Sequence, residues 1–317
     1  MIKEENTPKA IMLMLLGMSV FAVQDALIKI ISDETNLFLI YFIRSLLGII
    51  LLSIFLYIKR EQIIFKTFYP KLTILRGCLF FISFTLYYFS LTKLSLAKAI
   101  TLFFVSPFFI TIFSIIILRE IVGIKRWFAI IIGFIGVYLV MEPDFENFDY
   151  YSTFPILCAF GYALTMIIQK ITSDKDSLYS QTFHLFMAAI FFSIIIGIFI
   201  GDGQLSNQSI NDEYKFLLRK WALSSFSILS IFLLIGIITV FGFLCVFQAY
   251  RIGSPPSVAP FEYIIILWGL IISWIVWEET LSYRGYLGLF LIVFGGMYTY
   301  IRETRKNIKV VTGRPLR

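Results

Sequence analysis

The chain has 317 residues, of which 59% are hydrophobic and 15% are charged, with a mean hydropathy of +0.88. Soluble domains average about 45–50% apolar and about 25% charged residues, so this composition excludes a soluble globular domain, a disordered chain and a collagen-like repeat. The net charge of +7 does not indicate a nucleic-acid partner, because membrane proteins carry excess Lys and Arg in their cytoplasmic loops. Composition therefore predicts an all-α polytopic membrane protein.

Ten apolar segments follow one another along the chain, and a bilayer core of about 30 Å needs about 20 helical residues per crossing. The segments are too long to be barrel strands, which would need about 10 alternating residues each. The first segment is longer than a signal-peptide core and contains Gln24, Asp25 and Lys29, which predicts a retained helix. The predicted spans are residues 9–31, 36–58, 71–91, 98–118, 124–141, 151–170, 179–200, 226–250, 257–277 and 284–302.

One connection is much longer than the others. Residues 201–225 begin with a polar stretch and become mildly amphipathic around Tyr214–Trp221. This pattern predicts a short helix at the membrane interface between the seventh and eighth spans.

The distribution of Lys and Arg predicts the orientation. With the N-terminus in the cytoplasm, eighteen Lys and Arg fall on the cytoplasmic side of the ten spans and six fall on the opposite side. Because cytoplasmic loops carry the excess of positive residues, we expect both termini to be cytoplasmic. An odd number of spans would destroy this asymmetry.

Two halves of the sequence show weak similarity to each other. Lys29–Ser32 closes the first span and Lys170–Ser173 closes the sixth, while Glu120–Gly136 corresponds to Glu279–Gly295. Five spans per half place the halves in opposite orientations, an architecture that many secondary transporters use, with the site at the repeat interface. The predicted divisions are an N-terminal repeat (1–146), a C-terminal repeat (147–305) and a cytoplasmic tail (306–317).

An ordered set of short motifs covers nearly the whole chain. The stretches are Arg44, Leu75–Gly77, Leu94–Pro107, Leu118–Trp127, Gly133–Val137, Ser257–Tyr263 and Trp277–Gly288. In this set the sequence resembles the drug/metabolite transporter superfamily, in its EamA-type ten-helix branch. The resemblance implies two inverted five-helix repeats and transport of a small organic metabolite across the inner membrane. Arg119 departs from the pattern, since that branch usually has Gly before Glu120.

Within the branch, the polar first helix with Gln24 and Asp25 is similar to importers of S-adenosylmethionine or riboflavin. Exporters of amino acids share much of the same pattern, so both the substrate and the direction stay open. The alternatives from other classes are a non-transporting membrane scaffold and a membrane-embedded lipid enzyme. The lipid enzyme would need acids or histidines clustered at one membrane face, and this sequence scatters them.

Three charged residues lie well inside predicted spans, where each costs about 2.5–3.5 kcal/mol unless it is compensated. They are Asp25, Arg44 and Glu262. In a functional interpretation, Arg44 binds a carboxylate or phosphate, and Asp25 or Glu262 meets an ammonium or sulfonium or exchanges a proton. In a structural interpretation, Asp25, Lys29 and Arg44 form a packing network. We favour the structural role for Arg44 and a functional role for the two acids.

Several further residues are candidates for the site. The lone histidine, His184, is a weaker candidate for proton coupling, and Arg76 is interpreted as an anchor at the cytoplasmic end of the third span. Pro107 and Pro260 fall in corresponding spans of the two halves and are predicted to kink them. The aromatic residues selected for substrate binding, with Gln24, Asp25, Arg44 and Glu262, are Tyr88, Phe104, Tyr162 and Tyr263.

Signatures of enzymes and metal sites are missing from the sequence. It contains no phosphate-binding Gly-rich loop with Lys, no Gly-x-Ser-x-Gly and no paired Cys or His, and its three cysteines lie apart in apolar runs. We therefore predict a secondary active transporter that is not an enzyme and uses neither a cofactor nor a metal. Its predicted partners are a small-molecule substrate, the lipid bilayer and a proton as coupling ion, while a homodimer is left open.

Overall fold

The computed structural model describes residues 6–61, 66–120, 123–141, 150–207, 212–222, 226–278 and 282–306. These ranges are almost entirely helical and contain no β-strand. The helices are α1 (Thr7–Ile31), α2 (Leu37–Lys59), α3 (Pro70–Ser90), α4 (Leu96–Phe103), α5 (Ser106–Phe113), α6 (Ile124–Met141), α7 (Thr153–Thr172), α8 (Leu178–Ile200), α9 (Asp212–Leu218), α10 (Phe226–Ile252), α11 (Pro255–Val258), α12 (Ile264–Trp277) and α13 (Tyr283–Lys306).

Several helices begin at a polar residue whose side chain accepts a hydrogen bond from the first turn. Asn36 accepts from the backbone N–H groups of Phe38 (2.8 Å) and Leu39 (3.3 Å) at the start of α2. Ser95 and Ser177 begin α4 and α8 in the same way. These caps satisfy backbone donors that would otherwise have no partner at a helix end, so they fix where the apolar runs start.

Eight helical stretches are long and apolar enough to cross a membrane, and they correspond to predicted spans 1–4 and 6–9. The predicted fifth and tenth spans contain shorter apolar stretches, Trp127–Leu139 and Tyr283–Gly295. The described part of the chain is thus a multi-pass membrane protein. The predicted helix between spans seven and eight is α9, which begins earlier than expected. The predicted repeat boundary at 146 and residues 307–317 of the tail lie outside the described residues.

Two of the spans are discontinuous. In the fourth span, α4 ends at Phe103 and α5 begins at Ser106 with Pro107 in its first turn. In the ninth span, α11 passes into a 3₁₀ segment at Ala259–Tyr263 before α12 starts. Proline has no backbone N–H and cannot continue the helical hydrogen-bond ladder. Both breaks therefore interrupt the regular α-helical hydrogen-bond ladder at buried residues.

The same contacts occur in the two halves of the chain. Lys29 Nζ donates to the Leu94 carbonyl (3.0 Å), and Lys170 Nζ donates to the Gly253 carbonyl (2.7 Å). Each lysine lies in the last turn of its half's first helix, and each carbonyl lies in the loop before its half's broken span. These contacts tie corresponding elements together at two separate places in the bundle.

Arg119 and Glu278 end corresponding spans in the left-handed conformation, with φ of 56° and 57°. Glycine adopts this conformation without strain, which accounts for the Gly that the resembled branch usually has at the position of Arg119. The departure noted in the sequence therefore keeps the backbone geometry of the turn.

Helices α6 and α13 approach closely at Gly136. A Cβ added there would lie 2.6 Å from the Gly288 carbonyl oxygen and 2.9 Å from the Ile292 side chain. Because backbone cannot yield as a flexible side chain does, Gly136→Leu should lower the free energy of unfolding by about 1–3 kcal/mol. Gly123, with nothing within 4 Å of such a Cβ, provides the control Gly123→Leu. Thermal melting in detergent should separate the two variants, and equal melting would contradict this packing.

Candidate functional site

A cavity lies between helices of the two halves, and the empty volume of about 610 Å³ in and around it includes open solvent. Its wall from the first half comes from α1–α4, and its wall from the second half comes from α7, α10 and α12. The lining residues are Met18, Phe21, Gln24, Asp25, Arg44, Phe80, Phe84, Tyr87, Tyr88, Ile100, Phe103, Tyr162, Met166, Phe243, Val246, Phe247 and Ile265.

Asp25 places a carboxylate on the cavity wall. It is only 6% exposed, and its two oxygens accept hydrogen bonds from the hydroxyls of Tyr88 (2.8 Å) and Tyr87 (3.2 Å). Lys29, which the sequence suggested as a partner on the same helix face, extends to the Leu94 carbonyl. Asp25 is therefore oriented by two hydroxyl donors, with its carboxyl group on the cavity wall.

Gln24 links this carboxylate to the second half of the chain. Its Nε2 donates to the Tyr88 hydroxyl (3.3 Å), and its Oε1 accepts from the Thr239 hydroxyl of α10 (2.6 Å). The chain of hydrogen bonds from Thr239 to Asp25 fixes the rotamers of all its members, because each polar atom is satisfied by the next.

Arg44 places a guanidinium on the same cavity, 4% exposed. Its Cζ lies 4.4 Å from the centre of the Tyr41 ring and 5.9 Å from that of Tyr88. Its buried Nε has no hydrogen-bond partner, and within the described residues no carboxylate oxygen comes within 4.0 Å of its nitrogens. The guanidinium is held by two aromatic faces, which orient it but leave its donors free.

The rest of the cavity wall is largely aromatic. Tyr162 lies 5.2 Å from Phe103 and 6.1 Å from Phe84 between ring centres, and Phe84 lies 6.2 Å from Tyr88. Flat or cationic ligands stack favourably on such rings. The cavity therefore combines one acid, one base and a continuous aromatic surface.

Glu262 lies outside this cavity, behind Tyr162, and is fully buried. Its Oε1 accepts hydrogen bonds from Tyr162 (2.8 Å) and from Tyr250, and its Oε2 accepts from Ser106 at 3.5 Å. Ser106 follows the break in the fourth span, and Glu262 itself lies in the 3₁₀ segment of the ninth. The two predicted acids thus occupy separate environments.

The remaining predicted residues do not line the cavity. Phe104 and Tyr263 pack against each other, with ring centres 5.2 Å apart, next to the two helix breaks. His184 is half-buried in α8, where its Nδ1 lies 2.7 Å from the Ser180 carbonyl oxygen, and it does not line the cavity. Pro260 lies in the 3₁₀ segment with Glu262.

The sequence predicts that Arg76 is an anchor at the membrane surface, but its side chain is buried and only 2% exposed. Its guanidinium donates to Gln169 Oε1 and to the Gln181 carbonyl, and its Cζ lies 5.6 Å from the Phe247 ring centre. Phe247 lines the cavity, so this cluster lies directly behind the cavity wall. The side chain turns inward because Gln169 and Gln181 offer it acceptors there.

Loops close the end of the bundle at which α1 begins, here called the N-terminal face. Asp176 accepts from the Phe68 backbone (2.9 Å), and Arg251 donates to the Asp176 carbonyl (2.7 Å). The Tyr69 hydroxyl donates to Asp174 at 2.9 Å, and desolvation together with this hydrogen bond raises the pKa of Tyr69.

Loops also close the opposite face. Asn36 donates to the carbonyls of Leu217 (2.7 Å) and Arg219 (2.8 Å), and Arg219 donates to the Ser32 carbonyl (2.8 Å). Hydrogen bonds therefore hold the bundle together at both faces, on either side of the cavity.

Sequence reasoning did not single out Thr239, Tyr250 or Ser106, although each bonds to a predicted site residue. Hydroxyl residues are common in membrane helices, and no local pattern distinguishes those that face a buried acid. Among the described residues, no group of three or more His, Cys, Asp and Glu side chains could hold a metal ion.

Comparison with known proteins gives a family match in both halves of the chain. A model described as the EamA-like transporter family matches residues 8–142 and 151–301. A riboflavin transporter of Vibrio cholerae is 27% identical over 66% of this chain, and the match spans 64% of that protein. An S-adenosylmethionine uptake transporter of Rickettsia prowazekii is 23% identical over 84% of this chain and 83% of its own length.

A pseudopaline exporter of Pseudomonas aeruginosa is also similar, with 23% identity over 85% of this chain and 88% of its own length. One crystal structure, whose description names no function, superposes with a TM-score of 0.69 at 15% identity and covers 92% of this chain and 98% of its own. That similarity shows a shared fold. The family and the relatives' names are those of transporters rather than enzymes.

Proposed function

Because this chain belongs to the EamA-like transporter family, we propose that it is a secondary active transporter that moves a small organic solute by alternating access. The observation that carries the proposal is the cavity between the two halves, with Asp25 and Arg44 on its wall. Neither side chain forms an ion pair within the described residues, and a solute that supplies the opposite charge lowers the cost of keeping each one inside the membrane. Solute gradients or an ion gradient drive the movement.

The proposed architecture is ten spans in two inverted five-helix repeats, with the N-terminal face in the cytoplasm. The paired lysine contacts and the paired left-handed caps at Arg119 and Glu278 support it, because they recur at corresponding positions of the two halves. Inverted repeats place these corresponding contacts at opposite faces of the membrane. In alternating access, the contacts at one face break while the corresponding contacts at the other face stay formed.

The proposed solute carries a carboxylate, at least one cationic group and a flat ring. Arg44 has free donors for a carboxylate, Asp25 has a charge for an ammonium or sulfonium, and the aromatic wall fits a ring system. S-adenosylmethionine carries all of these groups, whereas riboflavin is uncharged and leaves both charges without counterparts. We therefore favour S-adenosylmethionine over riboflavin, with zwitterionic amino acids as the nearest alternative solutes.

Exchange of labelled solute tests this proposal. Proteoliposomes loaded with unlabelled S-adenosylmethionine should take up the labelled compound transiently, since exchange needs no energy source. Loading with riboflavin should give no such uptake. If the folded protein exchanges neither S-adenosylmethionine nor amino acids, the proposed solute class is wrong.

The two lysine contacts predict opposite shifts of the conformational equilibrium. Lys170→Met should favour opening at the N-terminal face, and Lys29→Met should favour opening at the other face. Each lost charged hydrogen bond is worth about 1.5–3 kcal/mol, which changes the open-to-closed ratio by about 10- to 100-fold. The measurement is labelling of a cysteine at Ile100, on the cavity wall, by an impermeant maleimide from each side, without the three native cysteines. Increased labelling from the same side in both variants would contradict the arrangement.

A further inference from the structure

Glu262 is a buried acid that solute binding in the cavity does not use. It is fully buried, lies behind the cavity wall, and has three hydroxyl donors but no cation within 4.0 Å among the described residues. An ionised carboxylate without a counter-ion is expensive in a low-dielectric interior, and a bound proton removes that expense. Such a group is suited to gain and lose a proton.

The groups that face Glu262 come from four helical elements. Tyr162 of α7 and Tyr250 of α10 are the titratable ones, and Ser106 of α5 is the third donor. Tyr263, in the same 3₁₀ segment, packs on Phe104. Within the described part of the chain no charged side chain contacts the carboxyl group, so its protonation is controlled by hydroxyl donors alone.

The carboxyl group also joins the two discontinuous spans. Ser106 begins α5 after the first break, and Glu262 lies inside the second. Its hydrogen bonds therefore connect both breaks to α7 and α10, which line the cavity. A change in the charge of Glu262 changes how these four elements are held together.

We propose that Glu262 carries the coupling proton of transport, and that Tyr162 links its protonation to occupancy of the cavity. The inference rests on the proposed transporter function and adds the coupling ion and its site. Tyr162 both lines the cavity and donates to Glu262 Oε1. No other residue does both in the described part of the chain.

The coupling follows from the single hydroxyl proton of Tyr162. A solute that accepts a hydrogen bond from Tyr162 takes a donor away from the carboxylate, which then holds a proton more tightly. A proton from water adds to Oε2, whose one contact is the long one to Ser106, and it returns to water when the solute leaves. Solute and proton move in the same direction.

The test compares gradient-driven uptake with exchange in proteoliposomes, with the membrane potential clamped and S-adenosylmethionine as probe. An inside-alkaline gradient should drive wild-type accumulation by up to about tenfold per pH unit at one proton per solute. Glu262→Gln should abolish this stimulation and retain exchange. Glu120→Gln, a buried acid bonded to Ser114 away from the cavity, should behave as wild type. Gradient-driven accumulation by Glu262→Gln would overturn the proposal.

A second measurement needs no solute and separates the failure of this inference from failure of the proposed function. Infrared difference spectra between acid and alkaline pH should contain a carboxyl stretching band that is lost in Glu262→Gln. Tyr250→Phe removes one donor without altering the cavity wall, so the midpoint of that band should move to higher pH. A purely structural role for Glu262 predicts no titrating band, and its absence in folded wild type would overturn the inference whatever solute is carried.

Discussion

Replacing Asp25 by asparagine should weaken S-adenosylmethionine binding by about 10- to 100-fold, because a hydrogen bond to a charged partner contributes about 1.5–3 kcal/mol. The variant should fold as well as the wild type. Asparagine has the size of aspartate, and removing a buried charge whose hydrogen-bond donors are the Tyr87 and Tyr88 hydroxyls relieves a desolvation penalty. Binding should therefore fall while the melting temperature stays level or rises.

Equilibrium binding of the labelled compound to purified protein measures the effect. Asp33→Asn, at an exposed position just after α1, is the matched control and should bind as the wild type does. Undiminished binding by Asp25→Asn would show that the carboxylate is a packing group. A loss of binding accompanied by a lower melting temperature would also indicate a packing role for Asp25.

Replacing Arg44 by methionine should weaken binding of a carboxylate-bearing solute by at least about tenfold, the lower bound for a lost charge-assisted hydrogen bond. Arg44→Lys should fall between methionine and the wild type. Lysine keeps the charge but lacks the planar pair of donors that matches a carboxylate. The two ring faces, Tyr41 and Tyr88, hold a guanidinium better than an ammonium.

The same binding measurement, made with a methyl ester of the solute's carboxylate, provides the control. Esterification should weaken binding to the wild type but should have little effect on binding to Arg44→Met. The substitution and the ester each remove the same interaction, the one between Arg44 and the carboxylate. Additive losses would contradict contact between Arg44 and the carboxylate. That result would favour the packing role that the sequence suggested for this residue.

Arg44 illustrates what the sequence could and could not predict. Because Arg44 lies eight residues into a span, its charge is expensive to bury in the membrane. Such a charge usually pairs with another group of the same protein. The packing network with Asp25 and Lys29 was the reasonable expectation. Only the arrangement of α1 and α2 around the cavity shows that Lys29 turns to the Leu94 carbonyl and that the Arg44 guanidinium rests on aromatic rings.

The environment of Glu262 could not be predicted at all. Its partners Ser106 and Tyr162 are 156 and 100 residues away in the chain, and they reach it from different helices. The prolines did predict irregular backbone in these spans, since Pro107 and Pro260 cannot continue a helix. That each break adjoins the same carboxyl group follows from how the two spans pack, which no local pattern encodes.

The repeat was more accessible from the sequence. Lys29–Ser32 and Lys170–Ser173 share a motif, and in the structure both lysines donate to a carbonyl in the corresponding loop. The two motifs are similar because each lysine makes the same kind of contact in its own half of the chain. The cavity residues show no such similarity, since Asp25 and Arg44 have no charged equivalents among the second half's cavity residues.

We propose that the cavity binds, through Asp25 and Arg44, a solute that carries both a cationic group and a carboxylate. Equilibrium binding of S-adenosylmethionine, 5′-methylthioadenosine and riboflavin to the wild-type protein tests it most directly. Methylthioadenosine keeps the adenine ring and ribose but lacks the amino-acid end and the sulfonium charge. We predict that S-adenosylmethionine binds at least about tenfold more tightly than either neutral compound, the loss expected for one charged hydrogen bond. Equal or tighter binding of methylthioadenosine or riboflavin would contradict the claim.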